Sequence, residues 1–256
     1  WMGAETGFKA KKYSGVKWVS TFHSLSSKRN RKPDSRLEKM ERAGLEKPDR
    51  VISVSERLAD QVIEEYDVET EVIYNGFSTP PSSGKEVKEE YGINCDMIFY
   101  VGRHAEQKGI EHLLYGFSKL EDNSTLVIGG EGHMKEPLEE VTEILGIEDK
   151  VIFTGFIPRE ELGDYYREAD VFVSPSIDEP FGLTITEALE SGTPVVATSN
   201  GVEEIAGRSI ISVEPESDSI GEGIKEALEL ETPPGYRNRG WDEMAEEVLE
   251  VYSELS

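Results

Sequence analysis

Short apolar runs rich in β-branched residues alternate with amphipathic stretches along most of this sequence. The alternation predicts strands that are each followed by a helix, which is typical of a parallel sheet with helices on its faces. The fold class is therefore α/β. The strand candidates are residues 18–22, 51–54, 71–74, 97–101, 125–128, 151–154, 171–174, 195–198 and 210–213. Helices are expected near 55–66, 84–91, 109–120, 135–146, 159–168, 183–191, 217–230 and 241–255.

Residues 78–84 are the clearest linker, because their two prolines, three serines and a glycine continue neither kind of element. We place a domain boundary there. The three strands before it are too few for an independent doubly wound domain, so we expect that first domain to be incomplete. The six strands after it are enough for a self-sufficient sheet.

The charge is distributed unevenly along the chain. Residues 1–50 carry 13 Lys/Arg and 6 Asp/Glu, a net charge of +7. Residues 51–256 carry a net charge of −32, which gives −25 for the whole chain. A negative field of this size disfavours nonspecific binding of nucleic acid. Cys95 is the only cysteine, which excludes a disulfide framework and predicts a cytoplasmic protein.

The segment EPFGLTITE, residues 179–187, follows a predicted strand and leads into a predicted helix. Open α/β sheets bind ligands at such a turn, and the free amides of a helix N-terminus favour anions. Gly182, Leu183 and Thr184 would present those amides, with Glu179 before them and Glu187 a turn into the helix. In isolation, the two glutamates would more simply be solvated charges.

Two basic residues, Arg103 and Lys108, follow another predicted strand. Arg103 stands in Val101-Gly102-Arg103 at the end of the strand, and Lys108-Gly109 precedes the next predicted helix. A nucleoside diphosphate develops negative charge as it leaves a sugar, and either a metal or fixed cations can stabilise it. The sequence contains no Asp-x-Asp pair, so we expect no metal site and expect Arg103 and Lys108 to take that role.

These motifs, in this order, resemble the retaining glycosyltransferases of family 4, which have the two-domain GT-B fold. The family pattern is G-G-R-x(4)-K-G followed some 70 residues later by E-x(7)-E, and here Val101 replaces the first glycine. The resemblance covers residues 17–256. Weaker matches are Ser53-Val54-Ser55-Glu56, Asn75-Gly76-Phe77, Gly129-Gly130-Glu131-Gly132, Gly155-Phe156-Ile157-Pro158 and Asn200-Gly201-Val202-Glu203-Glu204.

The resemblance implies a role for each matching residue. Arg103 and Lys108 would bind the donor diphosphate, assisted by the turn of Phe181, Gly182, Leu183 and Thr184. Glu187 would hold the ribose hydroxyls, and Glu179 would hold hydroxyls of the transferred sugar.

The resemblance also implies contacts with the base of the donor and with the reacting sugar. The backbone near Ile157 and the turn from Gly130 to Gly132 would border the base. His23 matches a first-domain histidine that faces the reacting sugar, although a histidine at a strand end is often structural and the usual His-Asp is His23-Ser24 here. The implied catalytic set is Glu179, His23, Arg103 and Lys108.

The resemblance also implies an organisation and a reaction. Residues 1–78 would be the remaining part of an acceptor-side domain, 79–235 the donor-binding domain, and 236–256 a helix crossing back to the first domain. A sugar would pass with retention from a nucleotide diphosphate sugar, the donor substrate, to a glycan or lipid-linked acceptor, without metal or cofactor. The family's glycine-rich acceptor loop is not in this sequence, so we expect slow transfer by this chain alone.

Alternatives remain open at this point. A non-catalytic nucleotide-sugar-binding fragment and a GT-B sugar-nucleotide epimerase share these motifs, whereas a dehydrogenase is disfavoured because G-x-G-x-x-G is absent. The basic residues Lys28, Arg29, Arg31 and Lys32 are expected in a surface loop. They are either a solvated charge run or a peripheral contact with the inner face of a membrane.

Overall fold

In the computed structural model, parallel strands alternate with helices throughout the described residues, which are 3–29, 35–121, 123–230, 235 and 238–255. The side chains of Lys28 and Arg29 are also outside the description. The strands are β1 (Val19–Phe22), β2 (Arg50–Ser53), β3 (Glu71–Val72), β4 (Asp96–Val101), β5 (Ser124–Gly129), β6 (Val151–Gly155), β7 (Val171–Ser174), β8 (Val195–Thr198) and β9 (Ile210–Val213). Each lies within two residues of a predicted bound, which confirms the α/β fold class.

The first helix precedes β1, and each strand is followed by at least one helix. The helices are α1 (Ala4–Ser14), α2 (Ser26–Arg29), α3 (Ser35–Glu46), α4 (Glu56–Tyr66), α5 (Val87–Tyr91), α6 (Ile110–Phe117), α7 (Lys135–Leu145), α8 (Leu162–Glu168), α9 (Leu183–Glu190), α10 (Glu203–Ala206), α11 (Ser217–Leu228) and α12 (Trp241–Glu254). Within the described ranges, none of them is long and apolar enough to cross a lipid bilayer.

The chain forms two compact units, one of Trp1–Gly76 with Arg239–Ser256 and one of Phe77–Asn238. The division between Gly76 and Phe77 lies beside the linker inferred from the sequence. The second unit contains a six-stranded parallel sheet in the order β6-β5-β4-β7-β8-β9. The chain proceeds outward from β4 in one direction and then from β7 in the other, so the order reverses between these two strands.

Helices cover both faces of this sheet because its strands are apolar on both sides. Ile98 and Tyr100 of β4 join a core with α6 and α11. The alternate residue Phe99 points to the other face, where its ring contacts Tyr165 and Tyr166 of α8.

The linker is held within the second unit by Asp164 of α8, whose side chain is fully buried. Its carboxylate accepts hydrogen bonds from the hydroxyl of Ser82, the amide and hydroxyl of Ser83, and the amide of Gly84. Burial alone would raise the pKa of Asp164, but the hydrogen bonds from Ser82, Arg167 and Ser83 outweigh it and hold the pKa well below its usual range. A segment without regular secondary structure is therefore fixed by one charged side chain.

The first unit contains a three-stranded parallel sheet in the order β1-β2-β3. Ile52 and Ile73 pack there against Val251 of α12. Arg239 Nε donates to the carbonyl of Tyr74 at 3.3 Å, and the amide of Gly76 lies 3.4 Å from Met244 Sδ. The C-terminal helix thus completes the core of the unit in which the chain begins.

The basic segment differs from its prediction as a surface loop, because it begins as helix α2. Glu41 of α3, fully buried, accepts hydrogen bonds from the amide and hydroxyl of Ser26 at 2.8 Å each and from the Tyr66 hydroxyl at 2.7 Å. These bonds fix the start of α2. Arg31, Lys32 and the side chains of Lys28 and Arg29 lie outside the described residues.

Candidate functional site

The candidate residues of the second unit gather where β4 and β7 end side by side. Ligands bind open α/β sheets at the carboxyl ends of the strands, at the point where strand order reverses. The loops after the two strands are joined by a hydrogen bond of 2.9 Å from the amide of Ile177 to the carbonyl of Gln107. Gly109, with φ +63°, lies so close to Pro175 that an added Cβ would be 2.0 Å from the Pro175 carbonyl oxygen. The two loops are therefore packed backbone to backbone.

Lys108 and Glu179 form an ion pair across these loops, with Nζ 2.6 Å from Oε2. Both side chains are largely buried, at 26% and 16% exposed, and Ser176 donates its hydroxyl to the same carboxylate oxygen at 3.3 Å. The backbone of Glu179 forms a parallel bridge with Asn200, beyond the end of β8. Glu179 is thus fixed by its backbone, while its carboxylate neutralises the cation that the sequence assigned to a diphosphate.

Arg103 lies at the same end of the sheet, and its own side chain is exposed. Tyr100, buried at the end of β4, donates its hydroxyl to the carbonyl of Arg103 at 3.5 Å. Burial and then the charge of Glu179 raise the pKa of Tyr100, whereas the charge of Arg103 opposes that rise. A cation and an anion from the two loops therefore both act on this hydroxyl.

The N-terminus of α9 begins at Gly182, whose φ of +107° is rarely adopted by residues with a side chain. An added Cβ would lie 2.8 Å from the end of the Ile185 side chain. Leu183 and Thr184 follow in the first helical turn, where backbone amides have no partner inside the helix. The ring of Phe181 is buried and its carbonyl accepts from the amide of Val202 at 3.1 Å, so Phe181 anchors the turn.

Glu187 lies one turn further into α9, with its side chain 15% exposed. The hydroxyl of Tyr166 donates to Oε2 at 3.1 Å, and Arg159 Nη1 lies 3.9 Å from Oε1. Burial raises the pKa of Glu187, and the hydrogen bond from Tyr166 and the charge of Arg159 reduce that rise. The two glutamates of the motif thus have separate partners.

The turn from Gly130 to Gly132, after β5, packs against the loop after β4. A Cβ added at Gly130 would lie 2.0 Å from the Gly102 carbonyl oxygen. A Cβ added at Gly132 would lie 2.1 Å from the His104 carbonyl oxygen. Ile157 is buried against Gly129, and a Cβ added at Gly129 would lie 2.5 Å from the Ile157 side chain. The positions expected to border a base therefore form one surface with the β4 loop.

The four histidines have different surroundings. His104 is fully buried, which lowers its pKa, and its ring lies edge-on to Phe153. His133 is exposed and pairs with Glu106 at 2.9 Å, and His112 is half-buried. His23 is exposed directly after β1, in the first unit, whereas the other candidates belong to the second.

The structure brings together Arg103, Lys108, Glu179 and the turn at Gly182, while Glu187 lies in the helix that follows this turn. Sequence reasoning missed Tyr166, Ser176 and Arg159, which contact the two glutamates. Within the described part of the chain, no three His, Cys, Asp or Glu side chains converge in a way that could hold a metal ion.

Comparison with known families gives two matches that together span most of the chain. Residues 1–79 match the model described as Glycosyltransferase Family 4, and residues 85–247 match Glycosyl transferases group 1. An uncharacterized glycosyltransferase of Methanocaldococcus jannaschii is 33% identical over 98% of this chain and 73% of its own length. A D-inositol 3-phosphate glycosyltransferase of Corynebacterium jeikeium is 30% identical over 100% of this chain and 71% of its own.

Solved structures show a similar fold at low identity. Anabaena HepE, solved in complex with UDP-glucose, has a TM-score of 0.86 at 20% identity over 99% of this chain and 76% of that chain. Sucrose-phosphate synthase from Thermosynechococcus elongatus has a TM-score of 0.80 at 23% identity, over 100% and 72% of the two chains.

Proposed function

Because the chain belongs to family 4 of the glycosyltransferases and has the GT-B fold, we propose that it transfers a sugar from a nucleotide diphosphate sugar to an acceptor. The observation that carries the proposal is the position of Lys108 and Glu179, paired at the strand-order reversal beside the N-terminus of α9. A fold neighbour solved with UDP-glucose supports the class of donor.

The diphosphate would lie between the two loops. Lys108 and Arg103 supply positive charge there, and the first-turn amides at Leu183 and Thr184 supply hydrogen-bond donors. Fixed donors of this kind stabilise charge that develops on a leaving group, without reorganisation during the reaction. We therefore infer that these groups, rather than a bound metal, stabilise the departing nucleoside diphosphate.

The glutamates would select the rest of the donor. Glu187 would accept hydrogen bonds from the ribose hydroxyls, while Glu179 would accept them from the transferred sugar. The surface formed by Ile157 and the turn from Gly130 to Gly132 would border the base. These assignments rest on the matching motif and on the separate surroundings of the two carboxylates.

Retention of configuration is part of the proposal. In a same-face displacement, the leaving phosphate oxygen takes the proton of the acceptor, so no protein nucleophile is needed. Positioning and charge stabilisation would then supply most of the acceleration. His23 is proposed to face the reacting sugar, by its match to the family histidine.

The acceptor would be a glycan or a lipid-linked molecule, and we infer a cytoplasmic location with peripheral membrane contact. Lys28, Arg29, Arg31 and Lys32 would attract an anionic acceptor or membrane surface, at roughly 1 kcal/mol for each cation near it. The related C. jeikeium enzyme is named for a phosphorylated acceptor, which supports an anionic one.

Nucleotide binding tests the donor site directly. We expect calorimetric titration with UDP, GDP and ADP to show binding of at least one, and Lys108→Ala to weaken it by roughly 10- to 100-fold, because charge-assisted hydrogen bonds contribute about 1.5–3 kcal/mol. Arg103→Ala should act in the same direction. In a product assay, each change should lower kcat by roughly 10²- to 10³-fold.

Lys88→Ala is the matched control. Lys88 also forms a partly buried pair, with Asp170 at 2.7 Å, but at the amino end of β7. Its loss should leave nucleotide affinity unchanged. Equal affinity in the Lys88→Ala and Lys108→Ala proteins would contradict the proposed site, and product formation without any acceptor would favour an epimerase.

A further inference from the structure

Tyr166 is held in a fixed orientation inside the second unit. Its side chain is fully buried, and its ring packs edge-on against Phe99 of β4 and Phe172 of β7, with centroids 5.3 and 5.2 Å away. The hydroxyl of Thr193 donates to its backbone carbonyl at 2.6 Å. The two strands that flank the candidate site therefore set the direction of the Tyr166 hydroxyl.

That hydroxyl donates to Glu187 Oε2 at 3.1 Å. Burial and the charge of Glu187 raise the pKa of Tyr166 well above its usual value. The phenol therefore stays protonated at neutral pH and remains a hydrogen-bond donor to Glu187.

The other carboxylate oxygen has a much looser partner. Arg159 Nη1 lies 3.9 Å from Oε1, and the Arg159 side chain is 71% exposed. Among the described residues, Tyr166 of α8 and Arg159 of the short 3-10 helix before it are the charged or titratable groups that face this carboxylate. Glu187 Oε2 therefore accepts a hydrogen bond from a core residue, while Oε1 is available to a ligand.

We propose that Tyr166 is a positioning residue for ribose recognition. By occupying Oε2, it holds Glu187 so that Oε1 accepts from the 2′- and 3′-hydroxyls of the nucleotide. The inference rests on the proposed donor site and adds a residue that the family pattern does not contain.

The test compares UDP, GDP and ADP with their 2′,3′-dideoxy forms by calorimetric titration. For the nucleotide that it binds, the unchanged protein should prefer the form with both ribose hydroxyls. Tyr166→Phe should reduce that preference by about tenfold, since one hydrogen bond to a charged group is lost from the carboxylate that makes the distinction. Binding of the dideoxy compound should change little. Glu187→Gln provides a second variant, and it should also lose the preference.

Tyr165→Phe is the control. Tyr165 is the neighbouring residue on α8, is 2% exposed and also contacts the Phe99 ring. Its hydroxyl pairs with that of Tyr91 at 3.0 Å instead of with Glu187. We expect Tyr165→Phe to keep the preference for the nucleotide with both ribose hydroxyls. An unchanged preference in Tyr166→Phe, or an equal loss in both phenylalanine variants, would overturn the inference.

A second measurement separates this inference from the proposed function. The Glu187 carboxyl can be titrated by NMR in the ligand-free protein. Because the Tyr166 hydrogen bond stabilises the ionised form, Tyr166→Phe should raise the pKa of Glu187, whereas Tyr165→Phe should not. If no nucleotide binds, the donor site is wrong, and the titration still decides whether Tyr166 controls Glu187.

Discussion

At the scale of single residues, the pair of Lys108 and Glu179 means that the proposed diphosphate would have to compete with Glu179 for Lys108. Lys108 Nζ is 2.6 Å from Glu179 Oε2 in the ligand-free protein. A diphosphate that takes over Lys108 leaves the carboxylate without its partner. Hydroxyls of a sugar attached to that diphosphate could then satisfy Glu179. The pair would thus favour a complete nucleotide sugar over a bare nucleotide.

Glu179→Gln tests this competition. Removing the negative charge frees Lys108 and lowers repulsion of the diphosphate, so UDP should bind about 3- to 10-fold more tightly, consistent with roughly 1 kcal/mol for a partly exposed pair. The preference for UDP-glucose over UDP should fall. Parallel titrations with the two ligands measure both changes.

The double variant Lys108→Met/Glu179→Gln supplies the control. If the gain arises from the freed lysine, the double variant should bind UDP no more tightly than the single variant Lys108→Met. Weaker UDP binding by Glu179→Gln would argue instead that the carboxylate helps to organise the diphosphate site.

The sequence predicted positions in this site better than contacts. Arg103, Lys108 and Glu179 each follow a strand, and strand ends could be located from apolar runs. The pairing of Lys108 with Glu179 joins residues 71 positions apart and depends on β4 and β7 being neighbours. Tyr166 could not be distinguished from Tyr165 in the sequence, because only the packing decides which hydroxyl reaches Glu187.

At the scale of elements, the close packing of the β4 and β7 loops makes Gly109 sensitive to the smallest addition. Gly109→Ala would place a methyl group against the Pro175 carbonyl in a left-handed conformation. Gly146, which ends α7, has nearly the same φ, +65° against +63°, and no atom within 4 Å of the added carbon. The two positions therefore separate backbone strain from steric overlap.

We expect Gly146→Ala to lower the free energy of unfolding by about 1–2 kcal/mol, the cost of the left-handed conformation. Gly109→Ala should cost about 1–3 kcal/mol more, because the loops must move apart. Urea denaturation of the two variants measures the difference. An equal decrease in the free energy of unfolding in both variants would show that the loops can move apart at no energetic cost.

Elements were predicted where their interior positions are apolar and missed where they are not. The central strands of the second unit, β4, β5, β7 and β8, are buried on both faces and were recognisable as apolar runs. Helix α3 was missed because Glu41 and Gly44 occupy two of its buried positions. Neither residue contributes to the apolar periodicity that predicts an amphipathic helix. The burial of this helix face became evident only from the tertiary contacts of Glu41.

At the scale of the whole molecule, the charge should make stability depend on salt. Residues 51–256 carry a net −32, and like charges that are crowded by folding oppose the compact state. The Debye length falls from about 10 Å at 0.1 M to about 3 Å at 1 M salt, so repulsion between surface groups is screened. The melting temperature should therefore rise over this range in calorimetric scans.

Sodium chloride and potassium chloride should give the same rise, because screening depends on ionic strength and not on a particular cation. A melting temperature that stays flat in both salts would show that ion pairs already compensate the repulsion. A rise with only one cation would indicate specific binding.

The backbone contacts at the ends of β4, β5 and β7 also limit how relatives of this protein can diverge. Gly109, Gly130 and Gly132 each lie where one extra carbon would meet a carbonyl oxygen at 2.0–2.1 Å. A side chain added at these positions would require the loops to move, whereas Phe156 after β6 is 74% exposed and its replacement should leave the loops in place. We therefore expect preferences for the proposed donor to evolve through exposed side chains around these loops, while the packed main chain of the loops stays almost unchanged.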